Sequence, residues 1–145
     1  MMQVTFALFA DGANLSQEGK LNILGVFDAL QVASFPAVHP RAHLVVHLKG
    51  SHADVGHHVL TLRWLDPHGS ELWSSTGELE VGAPPPSADE MDLPFIAQLD
   101  LPIAAPGAYT LMIALDDEPL AYVPVHVRQA IGMSAAGPRF SGMVS

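Results

Sequence analysis

Apolar residues recur at every second position in one segment after another, and glycine or proline closes nearly every segment. The run from Ala42 to Lys49 shows the pattern most cleanly. Leu44, Val46 and Leu48 fall on one side, and His43, Val45, His47 and Lys49 on the other. A period of two is that of a strand with two unlike faces. No stretch sustains the 3.6-residue period of an amphipathic helix, so the chain is restricted to strands.

Turn signals divide the sequence into eight such strands. They are Val4–Leu15, Leu21–Phe35, Ala42–Lys49, Val55–Leu65, Glu71–Val81, Phe95–Leu101, Tyr109–Leu115 and Leu120–Val127. Gly19 is placed to take a positive φ in the turn before Leu21. Gly25 interrupts the second strand and predicts a bulge or a close backbone approach, and Asp11-Gly12 predicts a bulge or bend in the first. Asp66-Pro67-His68-Gly69 has the residue order of a type I turn. Pro36 and Pro40 predict a stiff connection, and Pro124 marks the last strand as an edge or a bulge.

Pairing by apolar faces predicts three hairpins. Ala42–Lys49 pairs with Val55–Leu65, setting Leu44 opposite Leu62. Val55–Leu65 pairs with Glu71–Val81, which brings Trp64 near Trp73. Tyr109–Leu115 pairs with Leu120–Val127, aligning Ala121, Val123 and Val125 with the inward set Tyr109, Leu111, Ile113 and Leu115. The expected fold is all-β, a two-sheet antiparallel β-sandwich of about eight strands, with a jelly-roll-like or small-barrel form as the alternative. Residues 1–128 form the single domain, and 129–145 a Gly-, Ala-, Ser- and Met-rich tail.

Composition bounds the partners. The chain has 145 residues, 49% apolar and only 14% charged, with six Lys plus Arg against fifteen Asp plus Glu and a net charge of −9. That charge repels nucleic-acid backbones and anionic membranes, so neither is expected as a partner. Few charges leave an apolar surface, which favours a protein partner, first of all a second copy in a homodimer. There is no cysteine, hence no disulfide, thiol nucleophile or thiolate metal site. No leader is recognisable at Met1–Thr5, and the expected location is the cytoplasm.

Ala10-Asp11, Glu18-Gly19-Lys20-Leu21-Asn22, Gly25-Val26-Phe27-Asp28 and Phe35-Pro36-Ala37-Val38-His39-Pro40, with the turn at Asp66–Gly69, make up a recurrent pattern. In this pattern the chain resembles an uncharacterised bacterial family of small all-β domains. The resemblance implies an all-β fold and a bacterial origin. It carries no catalytic residue and no cofactor.

Three groups of residues are weighed as sites. The eight histidines include His43 and His47 on one strand face, but these stand roughly 13 Å apart, too far for one metal. If successive connections alternate between the two ends, one end collects Glu18, Asp54, Asp89, Glu90, Asp92, Asp116, Asp117 and Glu118, with Lys20. Asp89, Asp92, Asp116, Asp117 and Glu118 are the candidate ligands of a calcium ion there, although none belongs to an Asp-x-Asp-x-Asp-Gly loop. The other end gathers His39, Asp66 and His68, where a His–Asp acid–base pair is weighed against an Asp66 that caps its own turn. No nucleophile stands beside a base and no glycine-rich phosphate loop is present, so no enzyme activity is expected and no cofactor is called for. The candidate contact residues for a partner are Trp73 and, in the tail, Ile131, Met133, Phe140 and Met143. The resulting expectation is a non-catalytic interaction module, with metal or small-ligand binding as the alternative.

Overall fold

A computed structural model describes residues 2–130. The tail residues Ile131, Met133, Phe140 and Met143 lie outside the described residues. Nine strands and one 3₁₀ turn follow in the order β1 (Gln3–Leu15), β2 (Leu21–Phe27), β3 (Ala29–Val32), β4 (Ala37–Ser51), the turn His52–Asp54, β5 (Gly56–Leu65), β6 (Glu71–Val81), β7 (Glu90–Ile103), β8 (Gly107–Leu115) and β9 (Glu118–Gln129). They form a four-stranded sheet, β2-β1-β4-β7, and a five-stranded sheet, β3-β9-β8-β5-β6. The fold is an all-β sandwich, as the alternation requires.

Between the sheets lie Phe9, Leu44, Val46, Leu48, Trp64, Leu101, Tyr109, Leu111, Ile113, Val123 and Val125. Trp64 is the centre. It stacks on Tyr109 at 5.4 Å, meets Phe9 edge-on at 6.3 Å, and donates its indole N–H to the Pro102 carbonyl at 2.9 Å. A fully buried tryptophan needs such an acceptor, because its unmade hydrogen bond would be costly. The Tyr109 hydroxyl accepts from the Ala104 and Ala105 amides at 3.2 Å each and donates to the Ala105 carbonyl at 2.7 Å. It thereby fixes the turn that precedes its own strand.

Two of the three predicted hairpins form. Trp64 faces Trp73 across β5–β6, and Tyr109, Leu111 and Ile113 face Val125, Val123 and Ala121 across β8–β9. The third does not form. β4 pairs with β1 and β7, while β5 pairs with β6 and β8, so Leu44 and Leu62 belong to opposite sheets and meet through the core. The 3₁₀ turn at His52–Asp54 carries the chain across. Alternation says which side of a strand is buried but not which strand lies beside it.

Other boundaries also differ from the expectation. The segment Leu21–Phe35 is two strands that change sheet at Asp28, β3 lying parallel to the end of β9. β7 begins at Glu90, not Phe95. Pro40 belongs to β4 itself, at a bulge where Arg41 takes φ 51° and gives its N–H to Asp100 at 2.9 Å. A bulge is where a strand tolerates proline. The β1–β2 ladder skips the Asp11–Gly25 pair but keeps the same offset on either side, so no extra residue is inserted there. Gly25 is a close approach instead: with φ 72°, a Cβ there would lie 2.5 Å from the Asp11 carboxylate. Pro124 lies beyond the four residues of β9 that pair with β3, where no ladder needs its missing N–H.

Candidate functional site

Sheet edges are where an all-β domain offers unsatisfied backbone groups to a partner, and most natural edges carry a protective device. Among the described residues this sandwich has four. β3 is only four residues long. β6 carries Glu71, Glu78 and Glu80, and β7 carries Glu90, Asp92, Pro94 and Asp100. β2 has none of these. Its sequence, Leu-Asn-Ile-Leu-Gly-Val-Phe, holds neither a charge nor a proline, and among the described residues it pairs with β1 alone. Leu24 and Val26 project from one face with 76% and 60% of their surface open to solvent. The strand is tied to β1 by side chains as well as by the ladder. Phe27 stacks on Phe9 at 5.8 Å, and Asn22 donates to Asn14 across the ladder at 2.8 Å.

The acidic end is built differently from the expectation. In β1–β4 pairing Gln3 faces Lys49, whereas the turn after Leu15 lies beyond the opposite end of β1. Glu18 and Lys20 are thus at the far end from Asp54. The split of Leu21–Phe35 into two strands accounts for this, because it adds a reversal that simple alternation of loops does not count. Asp116, Asp117, Glu118, Asp89 and Asp92 do share one end, but they do not converge. Asp92 sits beside His47 at 3.6 Å and opposite Lys49 in the ladder, in the four-stranded sheet. Asp116 is occupied in the five-stranded sheet by His58 and the Val59 amide. Asp116 and Asp117 form the β8–β9 turn with φ of 50° and 68°, the left-handed pair of a two-residue hairpin loop. Among the described residues no three His, Asp or Glu side chains gather as a metal ion would require, so the geometry does not support the calcium reading.

A histidine–aspartate pair does exist, though not at His39 or His68. Asp66 accepts from the His68 and Ser70 amides at 2.9 and 2.8 Å and caps its own turn. The pair is His58 with Asp116. The His58 Nδ1 lies 2.6 Å from Asp116 Oδ2, and its Nε2 lies 2.6 Å from the Asp54 carbonyl. Both partners only accept, so both bonds are made together only when both ring nitrogens carry protons. The Asp116 carboxylate first, and the Asp54 carbonyl second, raise its pKa above the ordinary value. The Val59 amide, 2.8 Å from Oδ1, and then His58 lower that of Asp116. Asp54 is buried, which by itself raises its pKa; the Ser51 N–H at 2.8 Å and the Ser51 hydroxyl help to bring it below the ordinary range. These groups border a cavity of about 260 Å³ with Met2, Leu115, Glu118 and Leu120. No nucleophilic side chain lines it.

Three other histidines are engaged locally. His43 bonds the Arg41 carbonyl at 3.1 Å and lies 3.2 Å from the Gln98 amide; His47 bonds Thr5 and stacks on Phe6 at 5.4 Å; His39 packs edge-on to Phe27. Trp73 is half-buried against the core, with its N–H donated to the Asp100 carbonyl at 3.1 Å. It is packed on one side and partly open to solvent on the other. The β2 edge was missed from sequence, although its signal was present as seven consecutive uncharged residues. No local signal announced His58–Asp116, because the pair is made by β5 lying beside β8.

No curated protein matches the chain. A family model does, over residues 5–128, the domain that the two sheets enclose. The chain belongs to the family of unknown function DUF6941.

Proposed function

We propose that this domain is a non-catalytic interaction module that joins a second copy of itself through the β2 edge. The observation that carries the reading is β2 itself, an edge strand with no charge, no proline and two apolar side chains in solvent. A chain with net charge −9 resists contact with its own copies wherever acidic groups meet. β2 is the edge long enough to pair where that repulsion is weakest. Its mate must be an uncharged extended strand, and β2 is such a strand. Antiparallel pairing about a twofold axis joins like surface to like and unites two four-stranded sheets.

The test is amide hydrogen exchange across Leu21–Phe27 at several protein concentrations. The outward-facing amides of β2, which β1 does not bond, gain protection as the protein passes from nanomolar to micromolar. Protection that is independent of concentration in β2 would contradict the proposal.

A further inference from the structure

We propose that His58 is a proton-dependent clasp that ties the two sheets together at the acidic end. The geometry is specific. The turn His52–Asp54 leaves β4 in the four-stranded sheet, and the Asp116–Asp117 turn joins β8 to β9 in the five-stranded sheet. One imidazolium, on β5, donates to both, through Nε2 to the Asp54 carbonyl and through Nδ1 to the Asp116 carboxylate. Both bonds exist together only while the ring holds two protons.

Loss of one proton forces a choice. The carboxylate is the stronger acceptor, so the remaining proton stays on Nδ1. Nε2 then presents a lone pair to the Asp54 carbonyl, and the two repel. The turn His52–Asp54 is released while the β8–β9 turn keeps its bond. The charged groups facing His58 are Asp54 from the 3₁₀ turn, Asp116 from the β8–β9 turn and Glu118 from β9 on the cavity wall; β6 offers Leu79 across the ladder and Met2 closes the wall beside Gly50. The carboxylates among these favour the closed, protonated form, and they outweigh the burial of the ring that opposes it. Release thus comes on the alkaline side of the ordinary histidine value of 6.5.

The experiment pairs a nitrogen-detected NMR titration of His58 with amide protection factors, corrected for intrinsic exchange, in the full chain. The Ser51 amide, bonded to Asp54 at 2.8 Å, reports the released turn; the Val59 amide, bonded to Asp116, reports the retained one. Protection at Ser51 falls about tenfold as pH rises through the His58 midpoint, the scale of one charge-assisted hydrogen bond, and Val59 holds. In Asp116→Asn the midpoint drops towards 6.5 and the Ser51 transition moves with it. A His58 midpoint at or below 6.5 in the native chain overturns the proposal. So does Ser51 protection that ignores the His58 titration in either protein.

Discussion

The Asp11 side chain lies directly over Gly25, so that a Cβ at position 25 would stand 2.5 Å from Oδ2 and 3.0 Å from the Asp11 Cβ. The contact sits at the centre of the β1–β2 pair and fixes the backbone of the exposed edge. Gly25 also holds φ 72°, a region that side chains other than glycine enter at a cost of about 1–2 kcal/mol. Gly25→Ala is expected to destabilise the domain by about 1–3 kcal/mol in urea titration. Asp11→Ala in the same chain recovers part of the steric share but none of the backbone share.

The Tyr109 hydroxyl serves two amides and one carbonyl in the Ala104–Gly107 turn. Tyr109→Phe keeps the stack on Trp64 and removes all three bonds. The expected loss is about 1–3 kcal/mol, the cost of leaving buried backbone groups unpaired, with an unchanged denaturant slope. A Phe variant as stable as the parent would show that water replaces the hydroxyl at no cost.

Stability should follow the proton count of the His58–Asp116 pair. The His58 pKa is raised on folding, so its contribution is complete below 6.5 and fades as pH climbs through the raised value. The Asp116 pKa is lowered, so its contribution is complete above 3.8 and fades as pH falls through the lowered value. Both are present together between those limits. His58→Gln flattens the alkaline side of a melting-temperature profile, while the slope of the parent there is downward.

Self-association through an uncharged strand on an acidic chain has a distinctive salt response. Added salt screens the repulsion between two bodies of charge −9, and at 0.1 M the screening length is about 10 Å. Dimerisation is therefore expected to tighten from 20 mM to 300 mM sodium chloride in sedimentation equilibrium. Weakening over that range would mean that ion pairs hold the contact.

Much of this fold is legible one strand at a time. Tyr109, Leu111 and Ile113 alternate in step with Ala121, Val123 and Val125 and do face them, but only because the register shifts between Ile113 and Ala114, a bulge that the alternation does not announce. Leu44 and Leu62 show where such reading stops. Each alternates cleanly, and each faces the core, but the choice between pairing and facing is made by the turn at His52–Asp54. Asp28 shows another limit, since nothing in Leu21–Phe35 except that residue marks the change of sheet. His58 and Asp116 are 58 positions apart and meet because β5 and β8 are neighbours, a fact of topology that neither residue carries. The β2 edge was readable in principle. Its absence of charge is plain in the sequence, but only the strand order makes it an edge.

Light scattering of the native chain and of Val26→Lys at micromolar concentration tests the account most directly. Val26 is exposed, and a lysine there is the device by which natural sheets guard their edges. The native chain is expected at roughly twice 15.4 kDa and the variant, with an unchanged melting temperature, at 15.4 kDa. A native monomer, or a variant that remains dimeric, would contradict a β2 interface.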